Sequence, residues 1–256
     1  MKMDYCDITQ VIGLAYGQGR GSRNLRRSRT EHLQSGRHSS QTGDHSFFVK
    51  VGPLESVVRD GDPLILRTHP ETGELVDHWY EPELVILLGE NHEVIGYGLG
   101  NDFTAHGLEL GEGRYKKEDG TWHDGTDLGK RWQGSTSIGR ILTLDNREYL
   151  NNLEIGIRIE RDGEIIYDNS YSTVDRNVEF ADIPGLIMRI YNGKYKGDVP
   201  PSKEIQIEGD FLPAGTVIMT GSGLMLPKRC YAQEGDIVTV YSPQIGELRN
   251  PVRTQT

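Results

Sequence analysis

Cysteine is nearly absent: only Cys6 and Cys230 occur among 256 residues. Two cysteines far apart in an unsecreted chain are usually reduced, so no disulfide scaffold is expected. No apolar run approaches the ~20 residues that cross a bilayer, so no transmembrane helix is expected. The stretch Met1 to Thr9 lacks a basic segment followed by an apolar one, so no signal peptide is read there and a cytoplasmic protein is expected. Basic residues are in deficit, 28 against 38 acidic, for a net charge of −10. Such a surface repels phosphate backbones and argues against nucleic acid as a partner. The eight histidines show no helical metal-ligand spacing, and His69, His78 and His123 are expected at loops or the surface. In Gly17-Gln18-Gly19-Arg20-Gly21-Ser22 the third glycine is out of register for a dinucleotide loop, and Gly221-Ser222-Gly223 lacks the Gly-Lys-Ser/Thr of a phosphate loop.

Glycine, by contrast, is abundant at 32 residues, and apolar residues make up 35%. That combination gives a real core with many tight turns, which favours strands. Short apolar runs predict strands at 10–16, 46–51, 63–67, 83–88, 93–98, 216–219, 237–241 and 245–248. Leu153, Ile155, Ile157 and Ile159 alternate with polar or small residues, the period of a half-buried strand. Asp162-Gly163 then marks a hairpin turn, with a return strand from Glu164 to Tyr167. One helix is expected near Glu179 to Tyr191, with Phe180, Ile183, Ile187 and Ile190 on one face and Pro184 in its first turn. Gly17 to Gly43 is rich in Gly, Ser and Arg, with arginines at 20, 23, 26, 27 and 29, and reads as a mobile lid. Gly52-Pro53 divides a small N-terminal region (1–52) from a catalytic domain (53–256). The expected fold is mostly β with few helices, an α+β arrangement packed on a mixed sheet.

Tyr80-Glu81-Pro82-Glu83-Leu84 carries the chemistry. Residues two apart in a strand share a face, so Glu81 and Glu83 project side by side. Paired carboxylates beside an apolar run are costly to bury unless a positive charge lies between them. An isolated Glu-x-Glu is more often a solvated strand end. Here, however, Val94 to Gly100 leads directly into Asn101-Asp102, and a turn near 89–92 can fold the two strands into a hairpin that returns Asp102 beside the pair. Three carboxylates suit a hard cation, Mg²⁺ or Mn²⁺, and leave about three coordination positions for water or substrate.

The order of motifs resembles the fumarylacetoacetate hydrolase superfamily: EPELVILLG (81–89), GYGLGND (96–102), KRWQGSTSIG (130–139), PAGTVIMTGSG (213–223) and EGDIVTVYSPQIGELRNPV (234–252). The resemblance spans roughly residues 46–252. It implies a rolled, mixed β-sheet domain, commonly paired into a homodimer, acting on small 2-oxo acids. It implies Glu81, Glu83 and Asp102 as metal ligands, and Lys130 as a catalytic group beside the metal and the substrate oxygens. Thr220, with the backbone of Gly221, is implied as the binder of the substrate carboxylate.

The superfamily includes C–C hydrolases, decarboxylases, isomerases and dehydratases. Its hydrolases usually carry an early His and Glu that activate water, whereas here Gly13-Leu14-Ala15-Tyr16-Gly17-Gln18-Gly19 has neither. Thr220-Gly221-Ser222-Gly223 stands where hydrolases commonly have Thr-Gly-Thr-Pro. Both features resemble the branch that dehydrates 2-keto-3-deoxy sugar acids, although Arg140 stands where Pro is common. Glu109 and Glu112 are candidate proton carriers, and His32 or His38 could supply a hydrolytic base. Two further readings are a C–C hydrolase of an acylpyruvate and an inactive metal-binding protein on the same fold; the presence of Lys130 argues against the latter.

Overall fold

The structure, a computed structural model, describes residues 8–15, 46–51, 57–109, 125–175, 182–191 and 205–255. The lid expected at 17–43, the boundary at Gly52-Pro53, and Cys6, His32, His38, Glu112 and His123 lie outside these residues. The strands are β1 (Gln10–Ala15), β2 (Ser46–Val51), β3 (Val57–Val58), β4 (Leu64–Leu66), β5 (Pro82–Leu88), β6 (Val94–Asp102), β7 (Thr136–Ile138), β8 (Leu142–Thr143), β9 (Glu154–Arg161), β10 (Glu164–Ser172), β11 (Thr216–Met219), β12 (Ile237–Ser242) and β13 (Gly246–Thr254). Short helices cover His106–Glu109, Gly125–Lys130 and Ile183–Tyr191. Among the described residues one curled sheet runs β2-β1-β11-β5-β6-β7-β3, with β8 paired to β6, and a second runs β10-β9-β12-β13-β4. The first is mixed: β1 lies parallel to β11, and β3 to β7, while the other pairs are antiparallel. The expected mostly β fold with a rolled mixed sheet is borne out. No helix among the described residues is long and apolar enough to cross a membrane.

The centre of the first sheet explains its sequence. Strand β5 is buried at every position, so it reads as a continuous apolar run rather than an alternation. One face, Leu84 and Ile86, meets Ile155 and Val240 of the second sheet, and Ile183 and Ile187 of the helix Ile183–Tyr191 close the same core. The other face, Val85 and Leu87, packs with Val217 and Met219 of β11. The predicted hairpin at Asp162-Gly163 forms with positive φ at both residues, 52° and 82°, the backbone of a type I′ turn. Strand β13 runs on to Thr254, past the expected end at Leu248. The polar Asn250 inside it is buried, and its Nδ2 donates to the carbonyls of Arg59 and Asp62 at 2.7 and 2.9 Å.

His78 departs from expectation. It is a core residue, not a surface one. Its Nε2 accepts from the Arg67 amide at 2.8 Å, and its ring stacks on Phe103 with centroids 5.1 Å apart. Burial drives its pKa down to about 4, so the ring is neutral at pH 7.

Asp236, fully buried in the Gly-Asp motif at the start of β12, ties the second sheet to the strand that bears the carboxylates. Its Oδ2 accepts from the Tyr80 hydroxyl at 2.9 Å and from the Gln233 amide at 3.0 Å. Arg161 grips both oxygens, Nε to Oδ1 at 2.7 Å and Nη2 to Oδ2 at 2.9 Å. Tyr80 immediately precedes Glu81 and stacks on Phe103, which follows Asp102. Removing one member of such a buried network strands the others. Asp236→Ala is therefore expected to destabilise the fold by about 3 kcal/mol, the lower end for a broken buried pair, because Arg161 keeps some solvent contact. Urea denaturation of the two proteins measures it, and a loss under about 1 kcal/mol would show that the network is not coupled.

Candidate metal centre

The β5–β6 hairpin sets the register. Pro82 lies opposite Asn101 and Glu83 opposite Gly100, and one step further the Asp102 amide donates to the Glu81 carbonyl at 3.0 Å. Glu81 and Glu83 thus share a face with Asp102. Glycine at 100 is required there, because a Cβ would sit 2.5 Å from Val85 Cγ1. One carboxylate oxygen from each of Glu81, Glu83 and Asp102 lies within 4.8 Å of the others. Glu83 and Asp102 are buried, and Glu81 is partly open.

Two lysines face this cluster. Lys130, on the last residue of the helix Gly125–Lys130, places Nζ 3.0 Å from Glu81 Oε1 and 3.1 Å from Asp102 Oδ2. It also donates to Thr104 Oγ1 at 2.6 Å. Lys50, from β2, reaches Asp102 Oδ1 at 2.5 Å and the Phe103 carbonyl at 3.1 Å. Sequence reasoning found Lys130 but not Lys50. Its signal was a single charge inside the apolar strand SFFVKV. Thr104, which links Lys130 to Glu81 Oε1 through its hydroxyl at 3.3 Å, was missed as well, and so was His106. That ring stacks on Trp79, two residues before Glu81, at 3.9 Å.

Thr220 and Gly221 follow β11 and also reach the site. The Thr220 hydroxyl donates to the Leu84 carbonyl at 2.8 Å, and the Gly221 amide to Glu83 Oε2 at 2.7 Å. Gly221 has φ of +83°, a conformation that favours glycine. The side chains of Glu109 and Glu112 lie outside the described residues.

The electrostatics split the carboxylates. For Asp102, burial works to raise the pKa, but the ammoniums of Lys130 and Lys50 outweigh it and hold the carboxyl below its ordinary range. For Glu83, burial comes first, then the charges of Asp102 and Glu81, and together they push its pKa well up; Lys130 and the Gly221 amide offset this only in part. Were all three carboxyls ionised they would outnumber the two ammoniums by one, and in the metal-free site the raised Glu83 pKa relieves that excess. An all-oxygen set of this kind suits a hard divalent cation such as Mg²⁺ or Mn²⁺.

No family model matches the chain. It is similar to a probable 2-keto-3-deoxyxylonate dehydratase of Haloferax volcanii, 29% identical over 210 residues, which are 81% of this chain and 60% of that protein. The chain therefore spans less than two thirds of that relative's length. In fold it resembles a 2-keto-3-deoxy-D-arabinonate dehydratase solved with magnesium and 2,5-dioxopentanoate, at a TM-score of 0.66 and 20% identity, covering 97% of this chain and 74% of that one. It also resembles a fumarylpyruvate hydrolase from Pseudomonas aeruginosa solved with Mn²⁺ and pyruvate, at a TM-score of 0.62 and 19% identity, covering 97% and 91%. The resemblance read from the sequence motifs is borne out by these likenesses.

Metal binding should carry a proton signature. A carboxyl whose folded pKa is raised keeps its proton above the ordinary carboxylate range, and a cation binds only the ionised form. Glu83 should therefore release a proton when Mn²⁺ binds, and apparent affinity should climb with pH up to the raised Glu83 pKa. By the same sign, the metal-free protein loses stability as pH rises from the ordinary glutamate pKa through that of Glu83, because the folded state binds the extra proton. Calorimetric titration with Mn²⁺ in two buffers of different ionisation enthalpy reads the released proton directly. Equal heats in both buffers would exclude it.

Proposed function

We propose that this chain, which has the fold of the fumarylacetoacetate hydrolase superfamily, is a divalent-metal-dependent hydro-lyase that removes water from a 2-keto-3-deoxy sugar acid. The observation that carries the proposal is the convergence of Glu81, Glu83 and Asp102 within 4.8 Å, with Lys130 bridging two of them. In this reading the three carboxylates hold Mg²⁺ or Mn²⁺, and Lys130 faces the substrate oxygens. Thr220 and Gly221 border the substrate carboxylate. A bound divalent cation would act as a Lewis acid toward a 2-oxo acid and make its C3 proton acidic.

The chain's own groups do the rest. With a dication present and Glu83 ionised, three carboxylates, two ammoniums and the dication would leave one positive charge, which a monoanionic 2-oxo acid cancels. Lys130 Nζ, an ammonium beside Glu81 and Asp102, stabilises the negative charge that develops on the 2-oxo oxygen when the C3 proton leaves. Dehydration needs a base at C3 and an acid for the departing C4 hydroxyl, but no hydroxide made from water. C–C hydrolysis does need that hydroxide. The stretch after Tyr16 offers Gln18, Arg20 and Ser22, none of them a base near neutral pH. The similarity to a 2-keto-3-deoxyxylonate dehydratase supports the same choice. Hydrolysis of an acylpyruvate is the second reading, favoured by the fold shared with the fumarylpyruvate hydrolase. A cytoplasmic homodimer belongs to the proposal as well.

The two readings separate in one assay. With Mg²⁺, the protein should consume a 2-keto-3-deoxypentonate with loss of water and leave fumarylpyruvate intact. Pyruvate released from fumarylpyruvate, with the sugar acid untouched, would establish the hydrolase instead. Consumption of neither, in protein that binds the cation, would point to an inactive metal-binding protein.

Lys130→Met should lower turnover by at least ~10²-fold, the range for removal of one preorganised electrostatic donor. Turnover close to that of the unaltered protein, with folding intact by circular dichroism, would remove Lys130 from the mechanism.

A further inference from the structure

The two lysines at the metal centre differ in setting. Lys130 has a partly open partner: the Glu81 side chain is 20% exposed. Lys50 is sealed, with none of its side chain exposed, and it engages Asp102, the most confined of the three carboxylates after Glu83. It comes from β2, the edge of the curled sheet, and reaches Asp102 at the end of β6, three strands beyond its neighbour β1. Its Nζ also donates to the Phe103 carbonyl and lies 5.5 Å over the Trp132 ring. An ammonium in such a place costs several kcal/mol of desolvation. A methionine would fill much the same volume without that cost, so the charge itself calls for a reason.

Asp102 supplies one. Its Oδ2 shares Lys130 with Glu81, and its Oδ1 is held by Lys50. Without Lys50 the carboxylate keeps its Lys130 contact through Oδ2, but Oδ1 loses its ammonium and χ2, a broad torsion, is held from one side only. We infer that Lys50 is a positioning residue for the metal centre: by binding Asp102 Oδ1 and the Phe103 carbonyl together, it fixes which carboxylate oxygen faces Glu81 and Glu83. The inference rests on the reading of these three carboxylates as cation ligands. In this reading Lys50 acts through Asp102, as outer partners of metal ligands commonly do.

The test measures Mn²⁺ affinity by calorimetry in the wild type, in Lys50→Met and in Thr216→Val. Thr216 is a buried residue of β11 whose hydroxyl donates to the Pro213 carbonyl, so Thr216→Val weakens the fold away from the site. Lys50→Met should bind Mn²⁺ about 10- to 100-fold more weakly than wild type, the usual cost of losing an outer partner, and Thr216→Val should bind it normally. Folded Lys50→Met with Mn²⁺ affinity within about 2-fold of wild type overturns the inference. If Lys50→Met fails to fold, Lys50→Met/Asp102→Asn removes both charges: recovery of a cooperative unfolding transition supports the pairing, and no recovery overturns it. Absence of Mn²⁺ binding in the wild type would refute the metal reading itself. The inference would fall with it, whereas wild-type binding together with unweakened binding in Lys50→Met overturns the inference alone.

Discussion

Mutual repulsion among three carboxylates is the constraint from which the rest of this structure follows. Oxygens of Glu81, Glu83 and Asp102 lie within 4.8 Å of one another, and two of the three side chains are buried. At such a separation in a partly dry site, like charges interact by several kcal/mol, enough to consume much of a domain's net stability. Lys50 and Lys130 offset most of that repulsion, and Glu83 retains the remainder as a raised pKa. The fold tolerates the cluster because its most apolar strand, β5, is clamped on both faces by the cores around it. Strain at one end of a strand is held by burial along the rest.

A scaffold of stacked rings and a buried ion pair keeps the charges in place. Phe103 packs between Tyr80 and His78, and the Tyr80 hydroxyl is anchored on Asp236. His78 can serve in this stack because it is neutral; a protonated ring would place a second buried cation beside Arg67. The Gly-Asp motif, far from the carboxylates in sequence, therefore bears on the site through the strand it anchors. Glycines have the same indirect effect: Gly100 leaves room opposite Glu83, and Gly223 accepts the ring of Tyr171, where a Cβ would lie 2.3 Å from Cδ2.

Those relations set how far the sequence could be read. Local patterns carried well. The alternation around Ile155 to Ile159, the Asp162-Gly163 turn, and the hairpin that brings Asp102 opposite Glu81 all depend on segments adjacent in the chain. The five ordered motifs then pointed to the fold. Long-range partners left a fainter mark. Lys50 lies 52 residues from Asp102, and nothing in SFFVKV tells which carboxylate it meets; only the lone charge in an apolar strand hints that it meets one. His78 looked like a loop residue because its partners, the Arg67 amide and the Phe103 ring, come from other segments. The contacts of Thr220 and Gly221 with the Leu84 carbonyl and the Glu83 carboxylate likewise join distant segments, and nothing local to the Thr-Gly-Ser-Gly stretch announces them.

The order of assembly follows from where the charges originate. The hairpin that bears the three carboxylates is local and can form early, but its compensating ammoniums arrive from β2 and from the helix Gly125–Lys130, both outside it. Pairing over such sequence distances must overcome loop-closure entropy before it contributes anything. Until then the hairpin is spared repulsion by remaining solvated or protonated. Once the sheet has curled and Lys50 is sealed against Asp102, that carboxylate can stay ionised in a dry site without a metal, while the raised Glu83 pKa relieves the remaining repulsion. A cation that binds afterwards meets ligands already aligned, and its affinity appears as added stability by mass action rather than being spent on ordering the chain. On this argument the lysines let the site exist before its cofactor does, at a cost in desolvation that an apolar pair would not incur.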